Sequence, residues 1–152
     1  MFGRILVPVD FSEYTDEIVT CAVELAKRFG SEIHLLHVVP SMTHLTHYES
    51  FLASETVVSI EKGIQEEVEK DLRKTAQAIE GIPVTKAVRT GTPFVEIIDY
   101  VRQNDIGLIV MGTHGRGGLE HILIGSVAEK VVRKSPCPVL TIRPKDKQFS
   151  MP

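Results

Sequence analysis

Residues 106–126, "IGLIVMGTHGRGGLEHILIGS", decide how this chain reads. The almost wholly apolar run from Ile106 to Gly112 has the length and composition of a strand buried on both faces. It breaks into a stretch that contains Gly112, Gly115, Gly117, Gly118 and Gly125, five of the chain's eleven glycines. A helix pattern follows, with Val127, Val131 and Val132 before Pro136. In open parallel sheets, ligands bind beyond the carboxyl ends of the strands, and this glycine stretch begins at such an end.

The same alternation of strand and helix extends to both sides. Toward the N-terminus, Ile5, Leu6, Val7 and Val9 form a short branched strand, with Pro8 where it frays. Ile18, Ala22, Leu25, Ala26 and Phe29 recur at helical spacing, and Gly30 follows as a C-cap. "EIHLLHVV", Glu32 to Val39, reads as a second buried strand that leaves at Pro40. From Val57 a long amphipathic helix runs through Ile60, Ile64, Val68, Leu72, Ala76 and Ile79 to Gly81 and Pro83. Its other face is charged, with Glu66 and Lys70, and Glu69 and Arg73, at four-residue spacing, and reads as a solvated surface. "VTKAVR", Val84 to Arg89, alternates and so belongs at a sheet edge. Thr92 and Pro93 start a helix carrying Phe94, Ile97, Ile98 and Val101 on one face. "PVLTIR", Pro138 to Arg143, is the fifth strand. Five strands separated by helices imply right-handed crossovers and a doubly wound α/β domain, a parallel sheet with helices on both faces. Residues 1–144 are expected to form one domain, with a polar, loose tail over 145–152.

Composition narrows the function classes. With 152 residues, 43% hydrophobic and 24% charged, the chain has the make-up of a folded soluble domain rather than a disordered one. A formal charge of −3 gives no general attraction to nucleic acid or to anionic membranes. No apolar run approaches the ~20 residues needed to span a bilayer, and the start, "FGRILVPVDFS", lacks the pattern of a signal peptide. Cys21 and Cys137 are far apart and read as reduced, with Cys21 packed in a core, so the expected compartment is the cytoplasm.

The glycine stretch matches neither common phosphate loop. A Walker loop needs a lysine before its Ser or Thr, whereas Gly125 is followed directly by Ser126. The dinucleotide fingerprint needs a third glycine where Glu120 stands. What remains is Gly112, two residues, Gly115, nine residues, then Gly125 and Ser126. Gly112 leaves main chain open to a sugar, Gly115 permits a positive-φ turn, and Gly125 allows close approach before a helix. Ser126 and Glu129 fit a capping box, with Ser126 as N-cap, and the amides behind it can hold anionic oxygen.

This spacing, with "SVAEKVVRKSPCPVLTIRP" after it, "ILVPVDFSEYT" near the start and "LHVVP" between, resembles the universal stress protein family in its ATP-binding branch. The match spans nearly the whole chain. The resemblance implies a sheet of order 3-2-1-4-5, with the reversal between strands one and four. It also implies adenine near Pro8, Val9, Val39 and Met111, and ribose at Asp10 and Gly112. Phosphates would lie at Gly115, Gly125, Ser126 and Val127, often with Mg2+ or Mn2+ on the nucleotide, while Thr113, His114, Arg116, Gly117 and Gly118 line the loop. The family also pairs its last strand across a two-fold axis, which implies a homodimer here through Val139, Leu140, Thr141, Ile142 and Arg143.

Plainer readings stand beside these. Asp10 is also a good turn or cap residue, and Arg116 is either a phosphate ligand or a solvated loop cation. His44 and His47 have a metal-compatible spacing but no further ligands nearby. His34 and His37 are an odd number apart in a strand and face opposite sides; His114 and His121 read as loop surface. The leading expectation is therefore an ATP-binding regulatory module with little or no hydrolysis, because no base or arginine finger is evident at the phosphates. The rivals are a slow ATP hydrolase or phosphotransfer protein using His114, and a nucleotide-free interaction protein whose glycines only shape the fold.

Overall fold

In the computed structural model, residues 2–41, 54–113 and 124–143 are described, with the backbone alone for 54–61. Five strands, β1 (Arg4–Pro8), β2 (Glu32–Pro40), β3 (Val84–Gly91), β4 (Leu108–Gly112) and β5 (Val139–Ile142), alternate with four helices. The helices are α1 (Thr15–Phe29), α2 (Ser54–Gln77), α3 (Pro93–Gln103) and α4 (Ser126–Lys134). All strand pairs are parallel, and the sheet order is β3-β2-β1-β4-β5. The chain thus winds outward from β1 through β2 to β3, then crosses to build β4 and β5 on the other side. β3 and β5 are the edges, as the alternation of "VTKAVR" implied.

Strand parity divides the core into two layers. Ile5, Val7, Ile33, Leu35, Leu108 and Val110 point toward α1 and α2, where they pack on Ile18, Ala22, Val68 and Leu72. Leu6, Leu36, Ile109 and Met111 point the other way, onto Ile97, Val101, Ala128 and Val131 of α3 and α4. Apolar residues at consecutive positions are what a sheet covered on both faces requires. α1 ends where Gly30 adopts φ +65, and its amide bonds back to Ala26, a left-handed cap that costs glycine nothing sterically. Asn104 and Asp105 instead turn the chain after α3, with Asp105 at φ 48, so β4 begins at Leu108 rather than Ile106. On α2, Glu66, Lys70, Glu69 and Arg73 are solvent-exposed, and neither four-residue pair closes into an ion pair among the described residues. Exposed pairs of this kind contribute little, so their long side chains keep their freedom.

His34 and His37 face opposite sides as their spacing requires, His34 toward α3 and His37 toward the turn after β1. The His34 ring is buried, with Nδ1 2.9 Å from the Tyr100 hydroxyl and Nε2 3.4 Å from Glu32 Oε1. Glu32 Oε1 also accepts a 2.6 Å bond from the Thr85 hydroxyl, and Arg4 lies 3.8 Å from the other carboxylate oxygen. Burial holds the imidazole below its ordinary value of 6.5, against the opposing pull of the Glu32 carboxylate. The unfolded chain therefore takes up a proton near pH 6.5 that the folded chain resists. Stability from this site is full above that value and lost as pH falls toward the lowered folded value. Glu32, held down chiefly by the Thr85 bond, adds a second loss below its ordinary 4.5. Melting curves should show the midpoint dropping between pH 7 and pH 5, with His34→Gln flattening that limb. An identical pH profile in the variant would contradict this assignment.

Candidate functional site at the β1–β4 crevice

The winding direction reverses between β1 and β4, which are paired through Ile5 with Leu108 and Leu6 with Ile109. Beyond their carboxyl ends the chain leads from β1 into α1 and from β4 toward α4, and a sheet of this order opens its binding crevice at that switch point. The described residues of the site are the two strand ends, the turn after β1 and the start of α4.

β1 gives way to Val9, whose amide donates to the Leu36 carbonyl at 2.9 Å. Asp10 then organises the turn. Its Oδ1 accepts from the Ser12 amide at 3.0 Å and faces the Thr15 hydroxyl at 3.4 Å, while the Thr15 amide bonds the Ser12 carbonyl. The turn-forming reading of Asp10 is thus realised, with the carboxylate fixed in the turn just beyond β1. Phe11 follows in a left-handed conformation, φ 56, which is costly for a residue with a side chain.

On the opposite wall, Thr113 leaves β4 buried. Its amide donates to the Ile142 carbonyl at 2.9 Å, and its own carbonyl accepts from the Gly125 amide at 2.6 Å. That last bond ties the start of α4 to the end of β4. The N-cap of α4 is Gly125, at φ −64 and ψ 152, without a side-chain cap. Ser126 is therefore the first helical residue rather than the cap, and the expected capping box with Glu129 does not form. Glycine is itself an acceptable N-cap, and Glu129 pairs with Arg133 at 3.1 Å instead. The consequence favours ligand chemistry: no serine side chain folds over the first amides of α4, which have no acceptor within the helix. With the positive end of the helix dipole, they form a place where anionic oxygen is stabilised.

Of the remaining expected residues, Pro8, Val9, Val39, Met111 and Gly112 all lie at the carboxyl ends of β1, β2 and β4. Their side chains do not line one surface. Val9 and Val39 pack with the α1–α2 layer, whereas Met111 and Val127 pack with the α3–α4 layer. What the strand ends share toward the crevice is main chain. His114, Gly115, Arg116, Gly117 and Gly118 lie outside the described residues, as do His44, His47, His121 and the tail. Among the described residues, no three or more metal-ligating side chains come together, and no helix is long and apolar enough to cross a membrane. A polar groove of about 280 Å³ between α2 and β3, lined by Gln65, Glu69, Arg73 and Lys86, lies on the far edge of the sheet from the crevice.

Sequence reasoning did not connect His37 and Phe11 to this site. His37 Nδ1 lies 2.7 Å from the Val9 carbonyl, and the Phe11 ring stacks on the imidazole at 4.8 Å and 27°. The second histidine of "HLLHVV" was the available signal, but its partner lies 28 positions away.

A model of the universal stress protein family matches residues 1–143. Universal stress protein MJ0531 of Methanocaldococcus jannaschii is 31% identical over 150 residues, covering 97% of this chain and 86% of that one. The solved structure of MJ0577, from the same organism, superposes with a TM-score of 0.83 at 29% identity and covers 96% and 99% of the two chains. A universal stress protein from Archaeoglobus fulgidus, solved in complex with dAMP, shares the fold at a TM-score of 0.64 and 23% identity, over 92% and 97%.

Proposed function

The chain belongs to the universal stress protein family, and from that premise we propose that it is an ATP-binding regulatory module with little or no hydrolysis. The observation that carries this reading is the bond from the Gly125 amide to the Thr113 carbonyl, which ties the N-terminus of α4 to the end of β4 beside the β1–β4 switch point. In this reading the main chain at Pro8, Val9, Val39 and Met111 holds the adenine, and Asp10 with Gly112 receives the ribose hydroxyls. Ser126 and Val127, with Gly115, offer amides and a hydroxyl to the phosphates, which carry Mg2+ or Mn2+ with them, while Gly125, its own amide held by the Thr113 carbonyl, keeps the approach to them free of a side chain. The dAMP held by the Archaeoglobus fulgidus protein of the same fold supports an adenine nucleotide as the ligand class. Binding is the function, and occupancy is read out through the surface or the assembly of the protein in the cytoplasm.

Freshly purified protein, once denatured, should release an adenine nucleotide identifiable by mass. The emptied protein should then melt higher on addition of ATP and magnesium, by ~2.7 kcal/mol of linkage at a hundredfold excess over the dissociation constant. An unchanged melting curve at millimolar ATP would remove the proposal.

The assembly proposed is a homodimer through the edge strand β5, Val139 to Ile142 with Arg143. Leu140 is 38% exposed there, and among the described residues β5 pairs only with β4, so its outer edge is the side that would pair with a second copy. Light scattering at micromolar concentration should return twice the chain mass, and a monomer would contradict the interface without touching the nucleotide site.

A further inference from the structure

The turn that carries Asp10 is held from below by a side chain on another strand. We propose that His37 is a positioning residue for the nucleotide site: it sets the Val9 peptide and the Asp10 turn, and so tunes nucleotide affinity without touching the nucleotide. The inference rests on the reading of the crevice given above.

A carbonyl oxygen has no proton to give, so in the 2.7 Å contact between His37 Nδ1 and the Val9 carbonyl the imidazole is the donor. The bond therefore requires a proton on Nδ1. Both main-chain polar groups of Val9 are held, its amide by the Leu36 carbonyl and its carbonyl by His37, so the peptide units on either side of it are fixed. Two residues on, Phe11 is forced to φ 56, and its ring lies at 4.8 Å on the same imidazole. A strained backbone of this kind persists only where its surroundings over-determine it, and such strain clusters at ligand sites. Between the two His37 contacts sits Asp10, whose Oδ1 is spanned by Ser12 and Thr15. One side chain of β2 thus fixes the entry and the exit of the residue proposed to meet the ribose. His37 is also the residue of β2 two before Val39 and on the same face, so β2 contributes both the proposed adenine edge and the support for the ribose turn.

The test compares wild type, His37→Phe and His37→Asn. Phenylalanine keeps a ring for Phe11 to stack on but cannot donate; asparagine places an amide donor near the position of Nδ1 but cannot stack. ATP titrations should show affinity about tenfold weaker for His37→Phe, on the scale of one lost hydrogen bond, with ligand-free melting within a few degrees of wild type. His37→Asn should recover most of the affinity. Equal ATP affinity in wild type and His37→Phe would overturn the role while leaving the nucleotide reading intact, whereas a wild type that binds no ATP overturns both. Should His37→Phe fail to fold, nitrogen-15 spectra of the wild-type imidazole decide: a neutral ring protonated on Nδ1 supports the assignment, and one protonated on Nε2 overturns it.

Discussion

Gly125→Val should abolish the stabilisation of the protein by ATP while leaving the ligand-free fold close to wild type. Gly125 sits at φ −64 and ψ 152, a conformation open to any L-residue, so the substitution imposes no backbone strain. Its amide, which donates to the Thr113 carbonyl, is retained. What changes is the space in front of the first amides of α4. A branched side chain there occupies the volume assigned to the phosphates and screens the NH groups that would hold them. At a hundredfold ATP excess the wild type gains ~2.7 kcal/mol, equivalent to roughly 5–11 °C for a chain of this size. The variant should gain almost nothing, and a full shift in Gly125→Val would show that the helix start is not the phosphate site. Ser126→Ala, which removes one hydroxyl and leaves the amides open, should lose only about 1 kcal/mol of that binding.

The second large effect belongs to the fold. Leu6 is fully buried in the central strand, paired with His34 on one side and Ile109 on the other, and packed among Leu36, Ile97 and Ile109. Leu6→Ala removes three carbon atoms where strands on both sides and two helices above prevent collapse. The expected cost is ~2–5 kcal/mol, or a midpoint lower by roughly 4–20 °C in thermal unfolding. A loss under 1 kcal/mol would mean that the α3–α4 layer is not packed against β1 as described.

These two sites differ in how far the sequence alone revealed them. The place of Leu6 was legible because each strand announces itself by apolar residues at consecutive positions, which only a doubly covered sheet accommodates. Gly30 was legible for a similar reason, since a glycine just past a helical pattern has one common use. The order β3-β2-β1-β4-β5 was not contained in periodicity. It followed from family resemblance, because the pattern of one strand says nothing about which strand lies beside it. The start of α4 was placed one residue late: Gly125 and Ser126 are both acceptable N-caps, and the bond from the Glu129 amide to the Gly125 carbonyl makes Gly125 the cap. Asp10 was legible as a turn residue, yet the hold of His37 on that turn was hidden, since 28 residues separate His37 from Val9. Local chemistry is written locally, and contacts between strands appear only once the sheet is assembled.

The proposed site receives the phosphates of an adenine nucleotide on the open peptide amides at the start of α4, beside the β1–β4 switch point. Isothermal calorimetry on the nucleotide-stripped protein tests it most directly. Saturable binding of one ATP per chain with micromolar affinity, about −8 kcal/mol, is expected, and it should be lost in Gly125→Val. Absence of saturable heat at millimolar ATP, or binding unaltered by that substitution, would contradict it.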